Sequence, residues 1–557
     1  MKLRYFAFHI SLFISLAAMA QLDNTVEVTS EVKPVVTDVK KVDVKTKAAE
    51  TKVKHYTMQY DVKEQPLNNY APEPLGDYST EAVWKGNKKG YLHLAGGSHG
   101  NVDGQVGYQF DLTKNDALDI HLSLEGFSGK TKDNAYYGTK DWTSRDYRNH
   151  AGVKYNHRFD NGADFFVKGA YENRLFNYMP TGFTPTVTDK QHDVLGSFSA
   201  GLTSYQSGNF TIGGTAGVDF FSQNYQTSLE DKLGETFFHV DADAAYQLAD
   251  EHSVGLGLGF VSSSYGNDEL KGITRFRFTP HYIYNLDNMQ LKLGLFASTK
   301  GNVAPDVAFT YHLNPQSDAY VEVRGYEEDN HFRRLSGIHP AFVLNGYIGE
   351  YYSSILQPDA EFHQIDARIG YRFKASNGFH GNLNLGFDLS KNAPNMDWIS
   401  NSVNGLAYPW MDFSKNRRFY VNADLMYAYQ DIVKVDAKNQ LNVEGSKDGS
   451  EWKKGSYTTP TFQMLWDVDV KIVKDFYLGL NWEYAYYTTP DIDVAPGPVY
   501  ERPATVNLGA SLRYTLPVKL PLTVFVKGDN LLNQKYDRYF GYRNIGASFM
   551  AGFALSF

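Results

Sequence analysis

The chain has 557 residues, a formal charge of −9, 42% hydrophobic and 15% aromatic residues, and no cysteine. Without cysteine it can hold neither disulfide staples nor a thiolate metal site, and an acidic balance with no basic patch argues against nucleic acid as a partner. Beyond residue 20 nothing approaches the roughly 18 apolar residues of a membrane helix.

The first element is a secretory leader. Lys2 and Arg4 precede the apolar run Phe6 to Ala18, and Ala18 and Ala20 supply the small residues of a signal-peptidase site. Removal of residues 1–20 takes Lys2 and Arg4 with it and moves the formal charge from −9 to −11. Residues 21–85 read as a periplasmic tail. Within it, Glu31 to Lys54 is a Lys/Val/Thr mixture of the kind that stays flexible. Tyr56, Met58, Tyr60 and Val62 alternate with polar residues, so HYTMQYDV is a plain linker or an extended element that pairs inside or beneath the next domain.

From residue 86 onward the dominant period is two. Val254, Leu256, Leu258 and Phe260 alternate with Gly255, Gly257 and Gly259; Leu383, Leu385 and Phe387 alternate with Asn382, Asn384 and Asp388. One face of each run meets apolar surroundings and the other polar ones. A β-sandwich shares that period, but the connections separate the two folds. Tight turns such as 114–116, 160–162, 207–208, 250–252, 286–288, 376–378 and 474–475 alternate with longer polar links at 129–143, 174–189, 223–234, 325–360, 390–414, 437–457, 487–502 and 530–545. The expected fold is an all-β, transmembrane antiparallel barrel of about 22 strands with short periplasmic turns and long extracellular loops. It occupies residues 86–557 and leaves both termini periplasmic.

Motifs that suggest catalysis dissolve in this context. Gly96-Gly97-Ser98-His99-Gly100 fits G-x-S-x-G, yet a nucleophile elbow needs a following helix and Val102 to Leu112 reads as a strand. Gly255 to Gly259 lies mid-strand with no helix to bind phosphate. The 16 histidines form no H-E-x-x-H, and Asp491 and Asp493 read as a solvated loop. No enzyme activity, cofactor or metal is expected. Tyr427, Tyr429, Trp482, Tyr484, Tyr486 and Tyr487 are expected at strand ends as an interfacial girdle. Tyr136, Tyr137, Trp142, Trp398, Trp410 and Tyr500 fall on loops, with either a structural or a ligand-stacking role.

The last strand carries Phe549, Phe553, Leu555 and Phe557 on one face and small residues on the other. Those four side chains are expected to face lipid, with the terminal phenylalanine as the signal for the barrel assembly machinery. The stretch before it holds Asn530, Leu531, Leu532 and Asn533, then Tyr536, Gly541 and Tyr542. This pattern resembles the final hairpin of TonB-dependent receptors, and Thr25 to Val36 is similar to the valine-rich start of Bacteroidota members. The resemblance implies an integral outer-membrane barrel of a Gram-negative bacterium that binds or transports a substrate. Family members place a plug domain ahead of the barrel, and residues 21–85 are too few for one. A barrel of this width must nevertheless be filled. The tail, an inward-folded loop such as 325–360, or a partner protein that supplies the plug are the expected fillers. The alternative function is a non-transporting barrel that serves as scaffold or accessory subunit of an outer-membrane complex.

Overall fold

The chain divides into two units, Met1–Lys63 and Glu64–Phe557. The structure, a computed structural model, describes residues 89–557 except 135–137, 161, 178, 181–189, 225–231, 345–355, 376–377, 402–405, 449–450, 489–501 and 540. The leader with Ala18 and Ala20, the tail, HYTMQYDV, Asp491, Asp493 and Tyr500 lie outside the described residues.

Twenty-two antiparallel strands form a closed barrel. In chain order, β1 to β8 are Gly90–Gly97, Val102–Asp111, Asp116–Asn134, Gly138–Arg158, Asp164–Asn177, Lys190–Ser207, Phe210–Asn224 and Lys232–Ala249. β9 to β15 are His252–Tyr265, Ile273–Leu286, Met289–Ser298, Val303–Asn314, Ser317–Glu328, Glu361–Lys374 and Phe379–Asn401. β16 to β22 are Leu406–Tyr429, Val433–Asp448, Phe462–Val473, Phe476–Tyr486, Thr505–Thr515, Leu522–Asp529 and Ser548–Ser556. β22 closes on β1, with Leu92 opposite Leu555 and Leu94 opposite Phe553, so the wall has no free edge.

Parity along each strand decides what faces out. Phe198, Phe220, Leu122 and Val526 are about half exposed on the outer wall, as lipid-facing side chains must be. The inner face is polar. Asn156 donates to Asp119 at 3.0 Å, Tyr320 to Asn382 at 2.9 Å, and Asn422 to Asn384 at 3.0 Å. The glycines of β9 belong to this inner face. A Cβ on Gly255 would come within 2.3 Å of the His281 ring, and one on Gly257 within 2.1 Å of the Thr279 hydroxyl, both directly opposite on β10.

Two stretches expected as loops are strand. Within 129–143, β3 runs on to Asn134 and β4 starts at Gly138; within 390–414, β15 reaches Asn401 and β16 starts at Leu406. β15 and β16 have 23 and 24 residues, about twice the 9–11 that a bilayer needs. Continued ladder pairing satisfies backbone groups that a free loop would have to satisfy with water.

The connection between β13 and β14 spans residues 329–360, and its described residues 329–344 turn into the barrel at its long-loop end. It carries the helix α1, Phe332–Ile338. Beyond it, Val343 and Leu344 pair with Trp410 and Met411 of β16.

Candidate functional site: an inward loop packed across the lumen

The described part of the inward loop presents two kinds of side chain to the wall. Phe332, Leu335, Ala341 and Phe342 have no exposed surface, and Ile338 and Leu344 are buried beside them. They pack on Phe176, Leu195, Phe221 and Leu233 of β5 to β8, and on Met396 and Met411 of β15 and β16. Strands on both sides of the lumen therefore share one apolar cluster with the loop. Full burial of one such side chain is worth roughly 1.5–3 kcal/mol, which lets a short segment hold its place across a wide pore. Polar contacts fix its register. The Phe332 amide donates to Glu235 at 2.6 Å, Arg333 reaches Glu172 at 3.1 Å, and Arg174 donates to the Ser336 carbonyl at 3.4 Å.

α1 is only seven residues long, so its start must be capped. His331 does this by accepting the Arg334 amide at Nδ1, 3.2 Å away, while its ring packs 4.8 Å from Phe237. Acceptance at Nδ1 requires that nitrogen to be unprotonated. Burial, with Arg334 and Arg333 next, pulls the imidazole pKa down to about 3, consistent with the neutral ring.

The neck of the loop is charged. On one side, Arg275 reaches Glu327 at 3.3 Å, Asp329 at 2.9 Å, and Asp359. Arg277 adds bonds to Glu327 at 3.2 Å and Asp329 at 2.6 Å. On the other side, Arg334 spans Glu328 at 2.9 Å and Glu361 at 2.6 Å. Glu328 ends β13 and Glu361 begins β14, so Arg334 ties both stems together. Asn330 closes the neck by donating to the carbonyls of Asp359 at 2.7 Å and Asn392 at 2.9 Å. None of these residues was singled out from the sequence. The signal was present in EEDNHFRRL, 327–335, where acids, a capping histidine and paired arginines introduce an apolar helix, and in Arg275 and Arg277 two apart on one strand face.

The final connection, between β21 and β22, packs against the same cluster through Tyr539 and Tyr542. Asn530 and Asn533 hold positive φ, 48° and 51°, a conformation asparagine tolerates better than most residues. Asn530 is buried, with its side chain bonded to the Gln534 amide and carbonyl at 2.9 Å, and Asn533 accepts the Ala547 amide at 3.1 Å. The Asn-Leu-Leu-Asn element is thus a fixed turn, with Leu531 and Leu532 exposed on the outside. It delivers Tyr536, Tyr539 and Tyr542 to the interior. Tyr542 packs edge-on to Trp142 at 5.7 Å and to His339 at 4.8 Å. Gly541, at φ 78°, donates its amide to Asp537 at 3.1 Å. Tyr539 accepts from Arg174 at 2.6 Å beside the two-pronged Arg174–Asp146 pair at 2.8 and 2.9 Å. Arg174, with Arg333 and Ser336 of α1, also borders a cavity of about 430 Å³ with Arg148, Glu172 and Asp193 on its wall.

Several expected roles change place. Tyr487 is buried with Arg502 over its ring at 3.8 Å, because it shares the inward parity of Glu483; it is no girdle residue. Trp482 sits opposite Trp466 midway along the β18–β19 ladder instead of at a strand end. Tyr429, half exposed at the turn end of β16, lies at a wall edge, and Tyr427, Tyr484 and Tyr486 are half-buried. Trp142 belongs to the inner cluster, while the side chains of Tyr136, Tyr137, Trp398 and Trp410 lie outside the described residues. Ser98 sits in a tight turn with no following α-helix and accepts the Phe549 amide at 2.9 Å. On β22, Phe549 and Phe553 are exposed on the outer wall, as is Phe557 just past its end, and Leu555 is half-buried on the same face, whereas Ser548, Met550, Ala554 and Ser556 are buried.

Among solved structures, the siderophore receptor PirA from Acinetobacter baumannii superposes with a TM-score of 0.62 at 10% identity, over 85% of this chain and 81% of that one. The FrpB iron transporter from Neisseria meningitidis gives 0.62 at 10% over 85% and 82%, and the copper transporter OprC gives 0.58 at 12% over 85% and 80%. The fold is the TonB-dependent receptor barrel. No family model and no curated protein matches the sequence. In this barrel the described residues 329–344 of the inward loop, with Tyr539 and Tyr542 of the final connection, pack across the lumen at the long-loop end.

Proposed function

We propose that the protein is an outer-membrane receptor barrel that binds or transports a substrate, with loop 329–360 as its gate. The long-loop end faces the cell exterior, and the short turns and both termini face the periplasm, as in other barrels of this kind. The observation that carries the reading is the charged neck. A permanent seal gains little from buried ion pairs, since well-packed apolar residues of similar volume are often as stable or more so. A loop that must leave and return to one position does gain from them, because charge pairs fix a register and exchange readily for water or a ligand. The polar cavity beside α1, lined by Arg174 and Arg333, offers charged groups to a solute.

The test uses the full chain in planar bilayers. The native protein is expected to show small or no conductance, and replacement of residues 331–344 by a Gly/Ser linker to give large, stable steps. Large steps from the native protein would overturn the reading.

The scaffold reading has its own support in the dry centre of the seal, where Phe332, Leu335, Phe342 and Met411 have no exposed surface. Isolation of the native complex in mild detergent separates the two. Stoichiometric partner chains favour the scaffold, and a lone barrel favours the gated receptor.

A further inference from the structure

Glu328 and Glu361 stand directly opposite each other across the β13–β14 ladder. Like charges in that position repel, and Glu361 is almost fully buried. His363 follows on the same face of β14, 2% exposed. Its Nδ1 lies 2.6 Å from Asp388, so Nδ1–H donates to that carboxylate and Nε2 is directed away from it. Nε2 is buried, makes no hydrogen bond, and lies 3.5 Å from Glu361 Oε1. One donor atom from each of Glu328, Glu361 and His363 falls within 4.8 Å of the other two.

We propose that Glu328, Glu361 and His363 bind a divalent transition-metal ion that clasps the neck of the inward loop. Three arguments converge. The first is the donor set, two carboxylate oxygens and one imidazole nitrogen, which suits Zn²⁺, Mn²⁺ or Fe²⁺. The second is the Asp388–His363 bond, because a metal-ligating histidine nearly always donates its other nitrogen to a carboxylate or carbonyl that fixes the tautomer. The third is charge. Glu328, Glu361 and Asp388 carry three negative charges against the two positive charges of Arg334, which bridges both glutamates, and Arg418, which stands opposite Asp388 on β16. The group keeps a net negative charge, which is costly to bury unless a cation compensates it. Glu328, 23% exposed at its side chain, leaves the ion a way in.

The consequence is mechanical. The ion would join the last residue of β13 to the first residues of β14, and closing a long loop with a metal clip removes much of the freedom of its open form. The site depends on the inward position of loop 329–360 and is independent of whether the barrel transports anything.

The experiment takes the full-length protein in detergent, stripped with chelator, and titrates it with Zn²⁺ alone. One equivalent is expected to bind, and Co²⁺ in its place should give visible absorption bands of mixed nitrogen and oxygen coordination. His363→Ala should abolish the bands. Asp388→Asn should weaken Zn²⁺ binding about 10–100-fold. His121→Ala, on another part of the lumen wall, should bind as the native protein does. Should His363→Ala fail to fold, judged by loss of heat-modifiable migration, His363→Gln takes its place. Zn²⁺ should also slow protease cleavage within 329–360 in the native protein and not in the variant. If the native protein binds no more Zn²⁺ than the His363 variant, or its loop gains no protection, a proton on His363 balances the cluster and the proposal fails.

Discussion

Lys527 Nζ lies 2.9 Å from Asp103 Oδ2, with both groups buried, across the seam where the barrel closes. Lys527 is on β21 and Asp103 on β2, so the pair reaches over β22 and β1. His93 of β1 adds a contact to the same carboxylate oxygen at 3.1 Å.

Removal of one partner leaves the other charge buried with weaker compensation, a loss of up to about 3–5 kcal/mol. Lys527→Met and Asp103→Asn should therefore each lower the temperature at which the barrel loses its fast, folded migration in detergent gels. The double variant Asp103→Asn with Lys527→Met should lie nearer the native protein than either single one. Additive losses in the double variant would show that the pair is not coupled.

The closing strand leads to a second prediction. Phe553 and Phe557 lie on the outer face of β22, and a charge on a lipid face costs up to about 2–4 kcal/mol for Lys or Arg and less for Asp. Phe553→Asp combined with Phe557→Asp, or deletion of Phe557, should block assembly and leave the chain to periplasmic degradation. Normal outer-membrane levels of the double variant would refute this.

The third concerns the filler. If the inward loop closes the lumen, as proposed, deletion of residues 22–80 should leave conductance and uptake of large antibiotics nearly unchanged. Phe332→Asp, which puts a charge into the dry cluster, should raise both. A large increase on tail deletion alone would assign the seal to the tail.

The fourth is a pH dependence of loop docking. His331 has its folded pKa lowered to about 3, against an ordinary 6.5. The undocked loop therefore takes up a proton first as pH falls. Docking is at full strength above pH 6.5 and weakens progressively between 6.5 and about 3, by about 2 kcal/mol at pH 5. The charged and titratable groups around the ring are Arg334, Arg333 and His239. Protease cleavage of the loop should accelerate from pH 7 to pH 5. His331→Asn keeps a capping side chain and should flatten the profile; an unaltered profile in that variant would exclude His331 as the source.

The fifth concerns topology. Protease added to intact cells should cut only in the long connections. Cleavage within Glu31 to Lys54 would place the tail outside and reverse the orientation.

Much of the wall was legible along the chain because its cause is local. Alternation over a few residues, as from Val254 to Phe260, sets a strand's two faces, and Asp160-Asn161-Gly162 or Ser376-Asn377-Gly378 can turn a chain within a few residues. The closing strand was readable for the same reason, since the parity of Phe549, Phe553 and Phe557 follows from backbone geometry alone. Parity also places Tyr487 inside with Glu483, against what its aromatic ring alone suggests. What no local pattern contained was the path of residues 329–360. A polar link of that length can extend into solvent or fold inward, and the choice depends on contacts between distant residues. Arg334 joins the two stems, Arg333 reaches Glu172 across 161 positions, and Tyr539 meets Arg174 across 365. Such partners become neighbours only after the barrel has closed, so the wall was written in the period of the chain and its closure in the tertiary structure.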